Sequence, residues 1–376
     1  MTINLKDQIK NSAFAFRGYN VTNLGRTHEL LTHDKFGPIV ASHLQEASEI
    51  CSDAIGRKVD LVDRVERQEE TKLEDYAEAI SLIVAVEQAQ IQCLRDIFEI
   101  EYESAKFAFG FSLGEISSLV AGKVYSMKDA LSIPLAMSDD GIELARDVTL
   151  GVLFSRGEIL PLEKIDRALL EVNQLGIGVV GISTILSPNS VLVLGTGETI
   201  DVLRKKLKKE FPKGLHLRRN ENKWPPLHTS IVWNKNIPNR SACLMHTLSG
   251  GLTEPTLPIL SLVTGKKSYT ATNSREIIRK WIDQPQLLWD AVCETLSSSV
   301  DTVIHLGPAP NIIPATFERL ADNIEAQTRG SRRMRALAAV IRRPWLQNLL
   351  PKRASLLRAS MVQHVIAEDW MLEQNV

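Results

Sequence analysis

Ser112 stands between two glycines in the run Gly110-Phe111-Ser112-Leu113-Gly114, the G-x-S-x-G spacing of a nucleophile elbow. In such an elbow the serine occupies a strained turn between a strand and a helix. Side chains two residues before and two after would collide there, and glycine relieves the crowding. The backbone N–H groups that follow open the helix N-terminus, whose positive end stabilises negative charge developing on a substrate. Three fixed positions in five recur by chance, so the pattern counts only in context: a short apolar run, 105–111, ahead of it and helical spacing over 116–122 behind. A serine hydroxyl also needs a base, because it is protonated at neutral pH. Of the eight histidines (His28, His33, His43, His216, His228, His246, His305, His364), His228 stands out in Trp224-Pro225-Pro226-Leu227-His228-Thr229, where two prolines rigidify the approach. A lone histidine is most often a surface or satisfied polar residue. His305, in an apolar run before Gly307-Pro308, is the chief competitor and reads as structural.

The elements that must carry these residues follow from periodicity. The run 12–17 reads as a buried strand that breaks at Gly18, and 38–58 and 70–98 show helical spacing. With 105–111 as a second strand and helices over 116–122 and 128–136, the pattern is that of an open α/β sheet. From about residue 148 the texture changes to strand (150–154), helix (161–173), strand (176–186), strand (190–195) and helix (198–210), which suits a small split βαβ module inserted at 142–222. After Pro225-Pro226 the chain returns to the larger domain, with strands over 259–263 and 300–306 and helices over 274–281 and 286–298. The expected organisation is a discontinuous large domain, 1–141 plus 223–320, an inserted subdomain, and a basic helical extension over 321–376.

Composition narrows the classes. The chain has 376 residues, beyond what one compact core uses, with 44% hydrophobic and 24% charged residues, as in a folded globular protein. Lys+Arg 44 against Asp+Glu 45 gives a net charge of -1, so the basic excess of a nucleic-acid-binding protein is missing. Cys51, Cys93, Cys243 and Cys293 lie far apart, with no CxxC and no metal-ligand spacing; they read as reduced thiols, and no metal is expected. No apolar signal region and no membrane-length apolar stretch is present, so a cytoplasmic protein without a membrane span is expected. Between Arg329 and Arg358 there are nine Lys or Arg residues and no Asp or Glu. That stretch reads as a solvated helical extension or as a docking surface for an acidic partner.

Taken together, the motifs resemble the malonyl-CoA:acyl-carrier-protein transacylase family, the acyltransferases of fatty-acid and polyketide synthesis. Gly110-Phe111-Ser112-Leu113-Gly114-Glu115, with Leu119, Val120, Ala121 and Gly122, is similar to the family's G-H-S-L-G-E-x-x-A-L-V-A-x-G. Phe16-Arg17-Gly18-Tyr19-Asn20 stands at the place of F-P-G-Q-G-S-Q, and Pro226-Leu227-His228-Thr229 at P-x-H-[ST]. Val263-Thr264-Gly265-Lys266, Leu288-Trp289 and Leu306-Gly307-Pro308 match later motifs in family order. The resemblance implies a hydrolase-like parallel-sheet domain with an inserted ferredoxin-like subdomain. It implies ping-pong acyl transfer: Ser112 attacks an acyl-CoA thioester with His228 as base, backbone N–H groups of Leu113 and Tyr19 hold the oxyanion, and the phosphopantetheine thiol of an acyl carrier protein takes the acyl group. Coenzyme A thioester is then the substrate and no resident cofactor is needed. The basic 329–358 segment is the expected contact for the acidic carrier.

Departures from the family bear on the substrate. Phe111 replaces the usual His before the serine, Tyr19 and Asn20 replace Gln-Gly, and Leu262 replaces an Asn. Met137, about 25 residues after the serine, aligns with the arginine that holds the malonyl carboxylate. A buried carboxylate without a bidentate cation is costly, so Met137, with Phe111 and Gly18 as further substrate-binding positions, favours an uncharged acyl group; Arg17 or Arg146 could instead supply the cation. The sequence leaves open a thioester hydrolase using the same Ser112/His228 pair, and a non-catalytic carrier-docking homologue.

Overall fold

In the run Ser12–Phe16, aromatic and small residues alternate, and both sets are buried. Phe14 and Phe16 enter one apolar core with Ala108, Ile304 and Leu306, while Ala13 and Ala15 enter a second with Phe107, Phe109 and Val303. A strand buried on both faces belongs to a parallel sheet covered by helices on each side. The structure, a computed structural model, describes residues 4–156, 159–211, 214–329, 355–374 and 376. Its strands are β1 (Ser12–Phe16), β2 (Phe107–Gly110), β3 (Val148–Ser155), β4 (Val180–Ser187), β5 (Ser190–Thr196), β6 (Leu215–Asn220), β7 (Ile259–Ser261), β8 (Lys266–Lys267), β9 (Thr302–Leu306) and β10 (Gln363–Ile366).

The larger sheet has the order β10-β9-β1-β2-β7-β8, parallel except for β8. Helices Gly37–Ile55 and Tyr76–Asp96 fill one core; Leu288–Ser297 and Ile312–Arg329 cover the other face. Because β1 and β2 are parallel neighbours, with Phe16 opposite Gly110, the loops that leave their carboxyl ends emerge side by side. That crevice is where open α/β sheets bind ligands.

The second sheet is antiparallel, order β4-β5-β3-β6, with helices Leu162–Asn173 and Thr199–Glu210 on one face. Strand order and the β-α-β-β-α-β succession are those of a ferredoxin-like module. Its final strand, β6, was not expected: its sequence Leu-His-Leu-Arg-Arg-Asn alternates, but its outer face is charged and the segment is half exposed. None of the helices among the described residues is long and apolar enough to cross a membrane. The four cysteines form no disulfide.

The C-terminal region departs most from expectation. Helix Ile312–Arg329 runs across the anticipated boundary at 320, and β10 pairs in parallel with β9, so residues 355–374 complete the large domain instead of forming a separate helical extension. Residues 330–354, most of the basic segment, lie outside the described residues. Arg358, at its end, is buried and donates to the Leu296, Val300 and Asp301 oxygens at 2.8, 3.0 and 2.9 Å, so it is a structural pin and not a docking charge. Buried Val362, Val365, Trp370 and Met371 seat this strap. Truncation after residue 354 should therefore cost more than ~5 kcal/mol of stability, read as a collapsed urea midpoint; an unchanged midpoint would mark the strap as an independent appendage.

Candidate active site

Ser112 has φ 53 and ψ -115, a left-handed backbone conformation that costs a non-glycine residue strain. Its neighbours carry no Cβ for a reason that the coordinates make explicit. A Cβ on Gly110 would lie 2.0 Å from the Gly114 carbonyl carbon, and one on Gly114 would lie 2.3 Å from the Phe16 oxygen. A Cβ on Gly18, in the loop after β1, would lie 2.6 Å from the Phe111 oxygen and 3.3 Å from the Ser112 Cβ. Three close backbone approaches thus press the serine out of the sheet at the start of helix Leu113–Ala121.

The second member comes from the segment after Pro225-Pro226. The His228 N–H donates to the Ile282 oxygen at 2.7 Å, and its ring Nδ1 lies 2.6 Å from the Trp281 carbonyl oxygen. A carbonyl only accepts, so Nδ1 carries the proton and the Nε2 lone pair faces the Ser112 Oγ, 2.8 Å away across 116 residues of sequence. The Trp281 indole N–H donates to the Ser112 oxygen at 2.9 Å, so one residue fixes both partners. Burial lowers the His228 pKa to about 4, opposed only by the Trp281 carbonyl. The imidazole is therefore neutral at neutral pH. Among the described residues no carboxylate hydrogen-bonds to it, so the arrangement is a dyad oriented by a backbone dipole.

Ser112 and His228 open into a cleft of about 460 Å³ between the two sheets and helix Ile312–Arg329. Tyr19 and Phe111 line it with Ser112, and Tyr76 and Trp224 pack edge-on against the Tyr19 ring. Among the described residues, the backbone N–H groups of Leu113 and Tyr19 have no protein acceptor. Both belong to segments that flank Ser112, the one as its chain neighbour and the other through the Gly18 approach. Two such donors, one at a helix start and one in the loop after β1, suit a transient oxyanion.

Of the residues singled out from the sequence, Ser112, His228, Phe111 and Tyr19 meet in the cleft, with Leu113 directly behind the serine. Gly18 provides clearance beneath Phe111 and does not line the main cleft. Met137 departs from expectation: it is buried in the apolar core at the start of helix Ser138–Asp147 and is not among the residues that line the cleft. Arg17 is fully engaged, donating to the oxygens of Gly18, Thr22 and Asn23 in its own loop and to the Pro308 oxygen in the loop after β9. Arg146 is exposed and away from the cleft. Arg319, which sequence reading missed, is the charged residue of the lining. His305 is buried in β9, 2.9 Å from His364 of β10. Glu115 is structural: it accepts from Tyr269 Oη at 2.7 Å and from the Leu262 N–H at 3.2 Å.

Two further residues were illegible in the sequence. Trp281 acts largely through backbone and indole geometry, and Gln286, wholly buried, accepts the Ser112 N–H at 3.2 Å with its Oε1. Neither lies in a motif; only their place just before Leu288-Trp289 hints at proximity.

The chain matches no protein-family model and no curated protein. Solved structures do share its fold. Malonyl-CoA:acyl carrier protein transacylase from Xanthomonas oryzae is 19% identical, with 82% of this chain and 91% of that one aligned at a TM-score of 0.64. The Clostridium perfringens transacylase is 17% identical, covering 87% and 99% of the two chains, at 0.64. A malonyl-transacylase in complex with its type II polyketide synthase acyl-carrier protein is 20% identical, covering 81% and 91%, at 0.62. At these identities the likeness is one of fold: a large α/β domain with a small ferredoxin-like subdomain.

The buried, neutral imidazole makes a pH prediction. Because the base works only unprotonated, Ser112 labelling by a fluorophosphonate probe should hold its rate from pH 8 down to about 5.5 and halve near pH 4, the value to which burial takes His228; a midpoint near the free-histidine value of about 6.5 would contradict the desolvated dyad.

Proposed function

We propose that this chain is an acyltransferase that moves an acyl group from coenzyme A to the phosphopantetheine thiol of an acyl carrier protein through an ester on Ser112. The observation that carries the reading is the 2.8 Å contact between Ser112 Oγ and the lone-pair-bearing Nε2 of His228, at a cleft of about 460 Å³. In the first half-reaction Oγ attacks the thioester carbonyl while its proton passes to Nε2. The carbonyl electron pair moves onto oxygen, where the Leu113 and Tyr19 N–H groups receive it. Collapse breaks the C–S bond; the departing sulfur takes the proton from Nε2 and leaves as the CoA thiol, so His228 is again neutral beside acyl-Ser112. In the second half-reaction the carrier thiol gives its proton to His228 and its sulfur attacks the ester; the Ser112 oxygen leaves and regains the proton.

A base weakened by burial suits this chemistry. A thiol ionises near pH 8.5, so thiolate leaves without the full protonation that an amine demands, and no carboxylate is needed to strengthen the imidazole. The structural neighbour solved with its acyl-carrier protein supports a carrier as acceptor in fatty-acid or polyketide synthesis. Four unbridged cysteines suit a reducing compartment, so the cytoplasm is the proposed location. For the acyl group we favour an uncharged one. Met137 stands in the core, Arg17 is fully engaged, and the exposed Arg319 suits the phosphate end of pantetheine better than a buried carboxylate.

Intact-mass measurement tests the reading. With acetyl-CoA or malonyl-CoA the chain should gain one acyl mass and lose it to a holo carrier protein. Ser112→Ala should gain none, and His228→Ala should slow acylation about 10²–10⁴-fold. Release of free acid with no thiol acceptor would identify a hydrolase instead, and a malonyl preference would overturn the uncharged assignment.

A further inference from the structure

The small sheet presents two unlike faces. Leu153, Val191 and Val193 point to its helices, whereas Leu150, Val152, Leu192 and Leu194 line the cleft. The pleat makes this alternation obligatory: Val152 stands opposite Leu192 and Leu150 opposite Leu194, so the four form one apolar strip two strands wide. The strip and Ser112 line the same cleft, and Gln286 links them. Gln286, whose side chain accepts the Ser112 N–H, also exchanges backbone hydrogen bonds with β4, donating to the Ser183 oxygen at 2.9 Å and accepting from the Ile185 N–H at 2.8 Å. Thr184 is thereby paired with Gln286, the residue that holds the Ser112 N–H, and it lies opposite Leu192. The row from Thr184 through Leu192 to Val152 continues on β6 with Arg218, which is exposed and ends the apolar surface.

We infer that this strip binds the tail of the transferred acyl group, and that the preferred substrate is a medium-length, unbranched, uncharged acyl thioester. The inference rests on the acyltransferase reading. Two strand spacings of ~4.8 Å separate Thr184 from Val152, a span of roughly eight carbons of extended chain, after which the Arg218 guanidinium penalises further apolar length. On the small sheet the polar lining residues are Ser183 and Thr184 on β4 and Asn220 on β6, while helix Ile312–Arg329 contributes Thr316 and Arg319 to the lining. An acetyl or malonyl group would leave Leu192 and Val152 uncovered, while a longer tail buries them and gains apolar burial with each methylene. The chemistry is unchanged: Ser112 O–H adds to the thioester, the C–S bond breaks, and the proton leaves with the CoA thiol.

The test is a competition. The full chain is incubated with an equimolar mixture of acetyl-, butanoyl-, hexanoyl-, octanoyl-, dodecanoyl- and malonyl-CoA, and the adduct masses on Ser112 are followed with time. Octanoyl or its nearest neighbours should load at least about tenfold faster than acetyl or malonyl, as several buried methylenes require. Leu192→Trp should move the optimum to shorter chains and Leu192→Ala to longer ones; damage to folding would lower all chains alike and could not move the optimum both ways. Loading of acetyl or malonyl alone, or an optimum indifferent to both variants, overturns the tail assignment and leaves acyl transfer intact. Absence of any adduct on Ser112 overturns the acyltransferase reading and the tail assignment with it.

Discussion

The Ser112 side chain reaches His228 because the backbone around it approaches more closely than any Cβ would permit. Gly110 and Gly114 let the elbow fold back upon itself, and Gly18 lets the loop after β1 lie against the serine. The left-handed φ of Ser112 is a cost that the parallel pairing of β1 with β2 sustains, since Phe16 and Gly110 are locked in register and the Phe111 N–H donates to the Phe16 oxygen at 3.0 Å. Buried aromatic and aliphatic side chains on both faces of these strands make that register rigid. The strain is held by the sheet, and the reactive geometry is held by the strain.

The base is governed by a different balance. Desolvation and a hydrogen bond to a carbonyl act on His228 in opposite directions, and desolvation wins. The outcome is a neutral imidazole with its tautomer fixed by the Trp281 oxygen, adequate for the proposed transfer, whose leaving group is a thiolate. A carboxylate partner would raise the basicity of the ring, but it would also place a second charge in a site where ionised groups are disfavoured. The nearby acid Glu115 shows this, because burial raises its pKa to about 7 even with Tyr269 and the Leu262 N–H donating to it.

The two sheets are coupled through a short stretch of chain. Trp281 donates to the Ser112 oxygen and accepts from His228, and five residues later Gln286 joins the Ser112 N–H to β4. This stretch sets the distance between Ser112 and the small sheet, and with it the shape of the cleft. The strap that carries β10 steadies the opposite side: Glu368 accepts from the Arg26 and Ala309 N–H groups and so ties the loop after β1 to the loop after β9.

Much of this was legible in the sequence. The elbow announced itself because glycine spacing is a local steric requirement, and the strands β1 and β2 because uninterrupted apolar runs have few other places to go. The alternating texture of 148–210 gave most of the small module. His228 was marked by its rigid proline approach. What stayed hidden was set by contacts distant in the chain. Met137 was expected to meet the substrate from its place in an aligned segment, yet packing turned it into the core. The C-terminal extension looked like an appendage, while its last part carries strand β10, because a four-residue strand leaves too short a pattern to read. Local sterics and hydrophobic period were written in the residues themselves; the hydrogen-bond partners of the dyad, the placement of Gln286 and the unpaired apolar face above the nucleophile were decided by tertiary packing, since each depends on which distant segments the folded sheets bring within reach.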